Sequence, residues 1–193
     1  MLMPPRLSDL SCVLLALLHM HPRSGYDLRK LFRESSLGRF SSSPGSIYPA
    51  LRRLQGLELI LGHDDPGVHG HHKTVYELTL GGERTLMGWL RAPVTDDEVR
   101  LKPELACFRL SLLQDVASAA EAVGRFSELE RAVDGQIRFL MSYLASPPPG
   151  AGPRAAAELV LDLWAARGSW ARRVLTSLRA RSEQQEISPS EAM

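Results

Sequence analysis

Several things this chain has little of narrow its class at once. Only two cysteines occur in 193 residues, Cys12 and Cys107, each in an apolar stretch and neither in a C-x-x-C pair. That argues against a disulfide scaffold and a cysteine-built zinc site, and fits two reduced thiols in an intracellular chain. No apolar run approaches the roughly 18 residues that a membrane-spanning helix takes, so no membrane partner is expected. The first residues, Met1-Leu2-Met3-Pro4-Pro5-Arg6, lack the charged region and small-residue cleavage site of a secretory signal. The expectation is a cytoplasmic protein. Net charge is scarce as well, at +1. Residues 1–90 hold 10 Lys+Arg against 8 Asp+Glu, together with all six histidines, and residues 91–193 hold 13 against 14. A polyanionic partner would have to be met by local placement of charge, not by a strongly basic domain. Lysine supplies only three of the 23 basic residues, a bias that reads as genome composition. Catalytic signatures are missing too. No nucleophile elbow, phosphate loop or zinc-protease spacing is present, so neither an enzyme nor a cofactor is expected.

What is present is helical periodicity, interrupted once by strands. Leu7 to Met20 reads as a first helix, with Ser8 and Asp9 available as caps and Leu10, Val13, Leu14, Leu17 and Leu18 covering more than one face. Pro22 and Gly25 break it. Ser24 then caps a second helix, roughly 25–35, with Leu28, Leu31 and Phe32 inside.

The third helix, 43–57, has two unlike faces. Ile47, Ala50, Leu51 and Leu54 fall at i, i+3, i+4 and i+7, an apolar stripe. Tyr48, Arg52 and Gln55 repeat at i, i+4 and i+7 on the other side. Arginine binds guanine or phosphate, glutamine pairs with adenine and tyrosine offers a hydroxyl, so this row suits a nucleic-acid surface. A solvated helix face would carry the same residue types. The start of the helix is open between Ser43, with Pro44 at the first helical position, and Ser46, which would put Pro49 in the first turn.

Strand signals follow at 57–63 and 74–78, with Asp64-Asp65-Pro66-Gly67 as a turn and Val68-His69-Gly70-His71-His72-Lys73 as the tip. Thr79 caps a fourth helix to about Leu90. Three helices, a two-stranded hairpin and a fourth helix, in that order, make a winged helix-turn-helix over residues 1–90. Residues 91–103 read as a charged linker. Residues 104–182 read as helices: a short one, a long one from about 115 to 145, and a final one from about 155 to 181. The last carries the stripe Leu159, Leu163, Ala166, Trp170, Val174 and Leu178. Residues 183–193 read as a disordered tail. The fold class expected is therefore mainly α with a small β-hairpin, an N-terminal winged helix-turn-helix followed by a C-terminal antiparallel helical dimerisation domain. Long helices cannot bury such stripes alone, so a homodimer is expected, and two-fold DNA sites require paired reading heads.

At this point the residues resemble a family. His21-Pro22-Arg23-Ser24-Gly25-Tyr26-Asp27-Leu28 resembles the h-G-Y-x-L opening of the second helix in PadR-family transcriptional regulators. Residues 43–54, SPGSIYPALRRL, match their S-P-G-T-L-Y-P-x-L-x-R-L recognition helix, and Lys73, Tyr76, Leu78, Thr79 and Gly82 fit the end of the wing and Y-x-L-T-x-x-G. The likeness covers about residues 7–90. The second half is similar to the longer Vir-type helical domain of one branch, anchored loosely on Val99-Arg100-Leu101-Lys102. The resemblance implies a dimeric repressor of double-stranded DNA, relieved by a small-molecule effector, with the third helix in the major groove and the wing on phosphate or the minor groove. Candidate DNA contacts are Tyr26, Ser43, Ser46, Tyr48, Pro49, Arg52, Arg53, His71, His72 and Lys73. Candidate effector contacts are Phe126, Trp164 and Trp170, against the plainer reading that these rings are core or dimer packing. The tip departs from the family in holding three histidines and one lysine, which would make wing affinity depend on pH.

Two rivals stand beside this reading. His63, Asp64, Asp65, His69, His71 and His72 could serve a metal-responsive wing, but a loose tip without cysteine is poorly organised for a metal, and no metal is expected. A winged helix used only for protein contact is the other; steep weakening of DNA binding by salt would exclude it.

Overall fold

The computed structural model describes residues 7–40, 44–66, 73–146 and 150–187. They fall into two compact units, Met1–Leu90 and Arg91–Met193.

In the first unit, helix α1 (Asp9–Met20) starts at Ser8, whose hydroxyl accepts from the Ser11 N–H at 3.2 Å. Its residues 11–18 are buried all round, and it packs on the third helix and the third strand. Helix α2 (Gly25–Glu34) begins with a capping box. The Ser24 hydroxyl accepts from the Asp27 N–H at 3.1 Å, and the Asp27 carboxylate accepts from the Ser24 N–H at 3.2 Å. A 3₁₀ turn over Ser36–Phe40 and another over Pro44–Ser46 lead into α3 (Ile47–Gly56).

The sheet has three strands, not the two expected. Strands β1 (Arg23–Ser24), β2 (Ile60–Asp65) and β3 (Lys73–Leu78) lie in the order β1-β3-β2, all antiparallel. Arg23 faces Tyr76, Ser24 faces Val75, and the β2–β3 ladder runs from Ile60 opposite Leu78 to Asp65 opposite Lys73. The segment that breaks the helix at Pro22 leaves extended backbone (His21 φ −160°, ψ 143°), and its polar groups are satisfied by pairing with β3. Two residues carry no readable periodicity, so the sequence shows only the break. Helix α4 (Leu80–Arg91) is seated by Thr79. The Thr79 hydroxyl donates to Glu58 O at 2.7 Å and accepts from the Gly82 N–H at 2.9 Å. Gly82 sits so close to the Leu59 carbonyl that a Cβ there would overlap it. This unit is a winged helix-turn-helix.

In the second unit, residues 91–103 are not a bare linker. Helix α5 (Asp96–Leu101) lies there, capped by the Thr95 hydroxyl, with Val99 buried. What holds it is Arg109 on helix α6 (Pro103–Val116), only 1% exposed. Its Nε and Nη2 donate to the Glu98 carboxylate at 3.0 and 2.7 Å, and its Nη1 donates to Ala92 O at 2.6 Å. Glu98 ends the acidic run Asp96-Asp97-Glu98, and its partner Arg109 lies eleven residues on.

Helices α7 (Ala119–Ala145) and α8 (Ala151–Ile187) run antiparallel, with Phe126 against Trp170 and Arg172 beside Asp134 and Glu130. The α8 stripe is rotated from the expected one. Ala157, Trp164, Gly168, Ala171, Leu175 and Leu178 are the buried positions, while Leu159 and Leu163 are exposed. Small residues at 157, 168 and 171 allow close approach of the α7 backbone, which a pattern read from large apolar residues overlooks. On α7, Phe126, Leu129 and Val133 are buried, and Phe139 and Met141 are exposed. Helix α8 also continues through residues 183–187 of the expected tail. No helix among the described residues is long and apolar enough to cross a membrane.

Candidate nucleic-acid interface

Helix α3 is built as an amphipathic bar. Ile47, Leu51 and Leu54 are fully buried, against α1, α2 and β2, while Tyr48, Pro49, Arg52, Arg53 and Gln55 are exposed. The row Tyr48, Arg52, Gln55 thus faces out together. Among the described residues, neither Arg52 nor Arg53 forms an ion pair, so both guanidinium groups can meet a ligand anion without first breaking a bridge. Of the two serines expected to cap the helix, Ser43 lies outside the described residues and Ser46 does not cap it by its side chain. Ser46 already has helical backbone (φ −77°, ψ −17°) and gives no side-chain capping bond. Pro44–Ser46 is a 3₁₀ turn feeding straight into the helix, which places Pro49 in the first α-helical turn, where no N–H is missed.

Helix α2 presents a second surface. Tyr26, Arg29, Lys30 and Arg33, spaced i, i+3, i+4 and i+7, are all exposed. The Arg29 guanidinium lies 5.7 Å from the centre of the Tyr26 ring. Of this stripe only Tyr26 is among the expected DNA contacts, although the helical spacing of the three cations is legible in the sequence. Next to it a cavity of about 290 Å³ is lined by Arg23, Asp27, Lys30, Leu31, Glu34 and Ser35, two cations balanced by two carboxylates. The Ser24 hydroxyl bond holds the Asp27 carboxyl below its ordinary range against the opposing pull of burial, with Lys73 and Arg23 adding to the effect.

The wing stem is electrostatically different. Lys73 pairs with Asp65 at 3.5 Å and His63 Nε2 with Glu77 at 2.7 Å. The two strands hold three carboxylates, Asp64, Asp65 and Glu77, against the single lysine Lys73. Ser43, His71 and His72 lie outside the described residues, as do His69 and the rest of the tip. Among the described residues no group of three metal-ligating side chains forms.

The family model for the PadR-like transcriptional regulators matches residues 14–87, the span from α1 through the wing to α4. Residues 14–87 are therefore a PadR-like family domain. Several solved PadR structures are similar to it. Bacillus subtilis PadR in complex with operator DNA shares 25% identity, over 88% of this chain and 98% of that one, with a TM-score of 0.42. The same protein in complex with p-coumaric acid shares 22%, over 92% and 99%, with a TM-score of 0.39. The PadR-like regulator BC1756 from Bacillus cereus shares 19%, over 91% and 99%, with a TM-score of 0.41. No curated protein matches the chain. The PadR-like domain contains Tyr26, Ser46, Tyr48, Pro49, Arg52, Arg53 and Lys73 in full, whereas Phe126, Trp164 and Trp170 lie in the second unit.

Within that second unit Phe126 is completely buried, with its ring centre 5.5 Å from that of Trp170. Trp164 is buried beneath the Arg167 guanidinium, 4.7 Å from its ring centre.

Proposed function

We propose that this PadR-like regulator is a cytoplasmic homodimer that represses transcription by binding a two-fold operator. Helix α3 enters the major groove with Tyr48, Arg52 and Gln55 toward base edges and phosphate. Ser43, Ser46, Pro49 and Arg53 flank that row. Tyr26 and the cations of α2 follow the phosphate backbone, and His71, His72 and Lys73 of the wing reach the adjacent groove. The observation that carries the reading is the division of α3 into one face that is wholly buried and one that carries exposed arginine, glutamine and tyrosine. Dimerisation is supported by the uncovered apolar residues of the second unit, Phe139 and Met141 on α7 with Leu159 and Leu163 on α8. A small-molecule effector would act at Phe126, Trp164 and Trp170, by opening rings that pack inside the helical unit.

The deciding experiment is binding to DNA from the protein's own promoter region, in competition with an unrelated duplex and across a salt series. Specific binding that weakens steeply with salt, and is lost in Arg52→Ala and Tyr48→Ala, is the expected result. Unchanged binding by both variants would remove α3 from the interface. For the effector, a ligand that quenches tryptophan fluorescence and also releases the operator is expected; quenching without release would confine those rings to packing.

A further inference from the structure

Gly25 and Tyr48 are 23 residues apart in sequence, yet the Tyr48 ring lies over the first residue of α2. A Cβ built on Gly25 would stand 2.6 Å from Tyr48 Cε1, 3.2 Å from Tyr48 Cδ1 and 3.4 Å from Leu51 Cδ1. Carbon atoms need about 3.5 to 4.0 Å, so the ring can lie there only because residue 25 has no side chain. We infer that Gly25 is a positioning residue for DNA recognition: its bare backbone is the seat that aims the Tyr48 ring out of α3. The inference rests on the reading of α3 as the DNA-facing helix.

The side that would yield to a methyl group at residue 25 is set by what holds each partner. The start of α2 is pinned twice. Ser24 and Asp27 exchange the two bonds of the capping box, and Ser24 is also in register with Val75 on β3. The backbone of α3 is pinned by Ile47 and Leu51, both fully buried. The Tyr48 ring is the loose member, 39% exposed and free to turn about its χ angles into solvent. Alanine in place of Gly25 also favours the helix. The substitution should therefore leave the domain folded and redirect the ring.

A double-mutant cycle tests this with the full-length protein and duplex DNA from its own promoter region. Gly25→Ala, Tyr48→Ala and the double variant are compared with wild type for operator affinity, for affinity toward an unrelated duplex and for thermal unfolding. Gly88→Ala is the control, because nothing lies within 4 Å of a Cβ there. The expected result is that Gly25→Ala melts like wild type, loses roughly tenfold of its preference for the operator, and adds no further loss in the Tyr48→Ala background. Full operator preference in Gly25→Ala overturns the inference, as does an equal loss with and without Tyr48. So does a lost melting transition that Tyr48→Ala restores, because that would make the contact one of packing alone. If wild type itself fails to prefer promoter DNA, the functional reading falls and this inference falls with it. If wild type and Tyr48→Ala differ while Gly25→Ala does not, only the inference fails.

Discussion

At the scale of single residues, most of the strong local chemistry is structural. Arg109 is buried as an ion and is stable there because three of its nitrogens have oxygen partners on Glu98 and Ala92. Arg109→Ala leaves Glu98 and the Ala92 carbonyl short of partners, and we expect a loss of about 3–5 kcal/mol of stability in urea unfolding. Ser24→Ala removes the capping box and should cost about 1 kcal/mol. The pH dependence of that loss follows from Asp27. Its carboxyl is held below the ordinary range, chiefly by the Ser24 hydroxyl, so the stabilisation is complete at neutral pH and drains as pH falls through the folded value. The gap between wild type and Ser24→Ala should narrow below about pH 4; a gap that widens in acid contradicts the assignment. Glu128 is pushed up by burial, but bonds from the Val94 N–H and Arg125 outweigh this and hold it low. Burial raises the Cys107 thiol to about 11. It stays protonated at neutral pH, so alkylation by iodoacetamide should be slow at pH 7 and accelerate only toward strongly alkaline pH.

At the scale of elements, α2 and α3 divide the work of binding in the function proposed above. Helix α3 carries the side chains able to read bases, whereas the stripe Arg29, Lys30, Arg33 on α2 has the composition of a phosphate track. Replacing these three with glutamine should reduce the slope of log affinity against log salt by about 0.9 for each cation that neutralises a phosphate, with little change in sequence preference. Arg52→Ala should instead alter the preference. The acidic excess of the wing stem, Asp64, Asp65 and Glu77 against Lys73, makes β2 and β3 weaker candidates for that track. Among the described glycines, Gly82 at the start of α4 leaves the least room for a side chain. Gly82→Ala forces a methyl group into the Leu59 carbonyl and should cost about 1–3 kcal/mol in thermal unfolding.

At the scale of the whole molecule, the proposed homodimer is the condition for reading a two-fold site. The apolar residues left uncovered on α7 and α8 are the place to break it. Leu159→Glu with Leu163→Glu should shift the protein toward monomer in sedimentation velocity and weaken binding to a two-half-site duplex more than to a single half-site. A variant that stays dimeric would move the proposed interface elsewhere.

How much of this could be read without coordinates depends on the range of the interactions involved. Helical and strand periodicity, the Ser24 and Thr79 caps and the two-faced character of residues 47–55 are local, set by side chains within one or two turns of each other. These features, together with the winged helix-turn-helix order they imply, are determined by the sequence itself. Contacts between distant residues were decided only by the tertiary structure. Asp64 and Asp65, expected in a turn, are drawn into β2 by pairing with Thr74 and Lys73. The β1 strand exists because β3 offers unpaired backbone groups beside Arg23 and Ser24. Helix α5 is fixed by an arginine eleven residues beyond Glu98. The buried side of α8 is chosen by small residues that admit α7, which hydrophobicity alone ranks below leucine. The seat of Tyr48 over Gly25 belongs to the same class: a glycine shows in the sequence, but what occupies the space it leaves is settled when two helices meet.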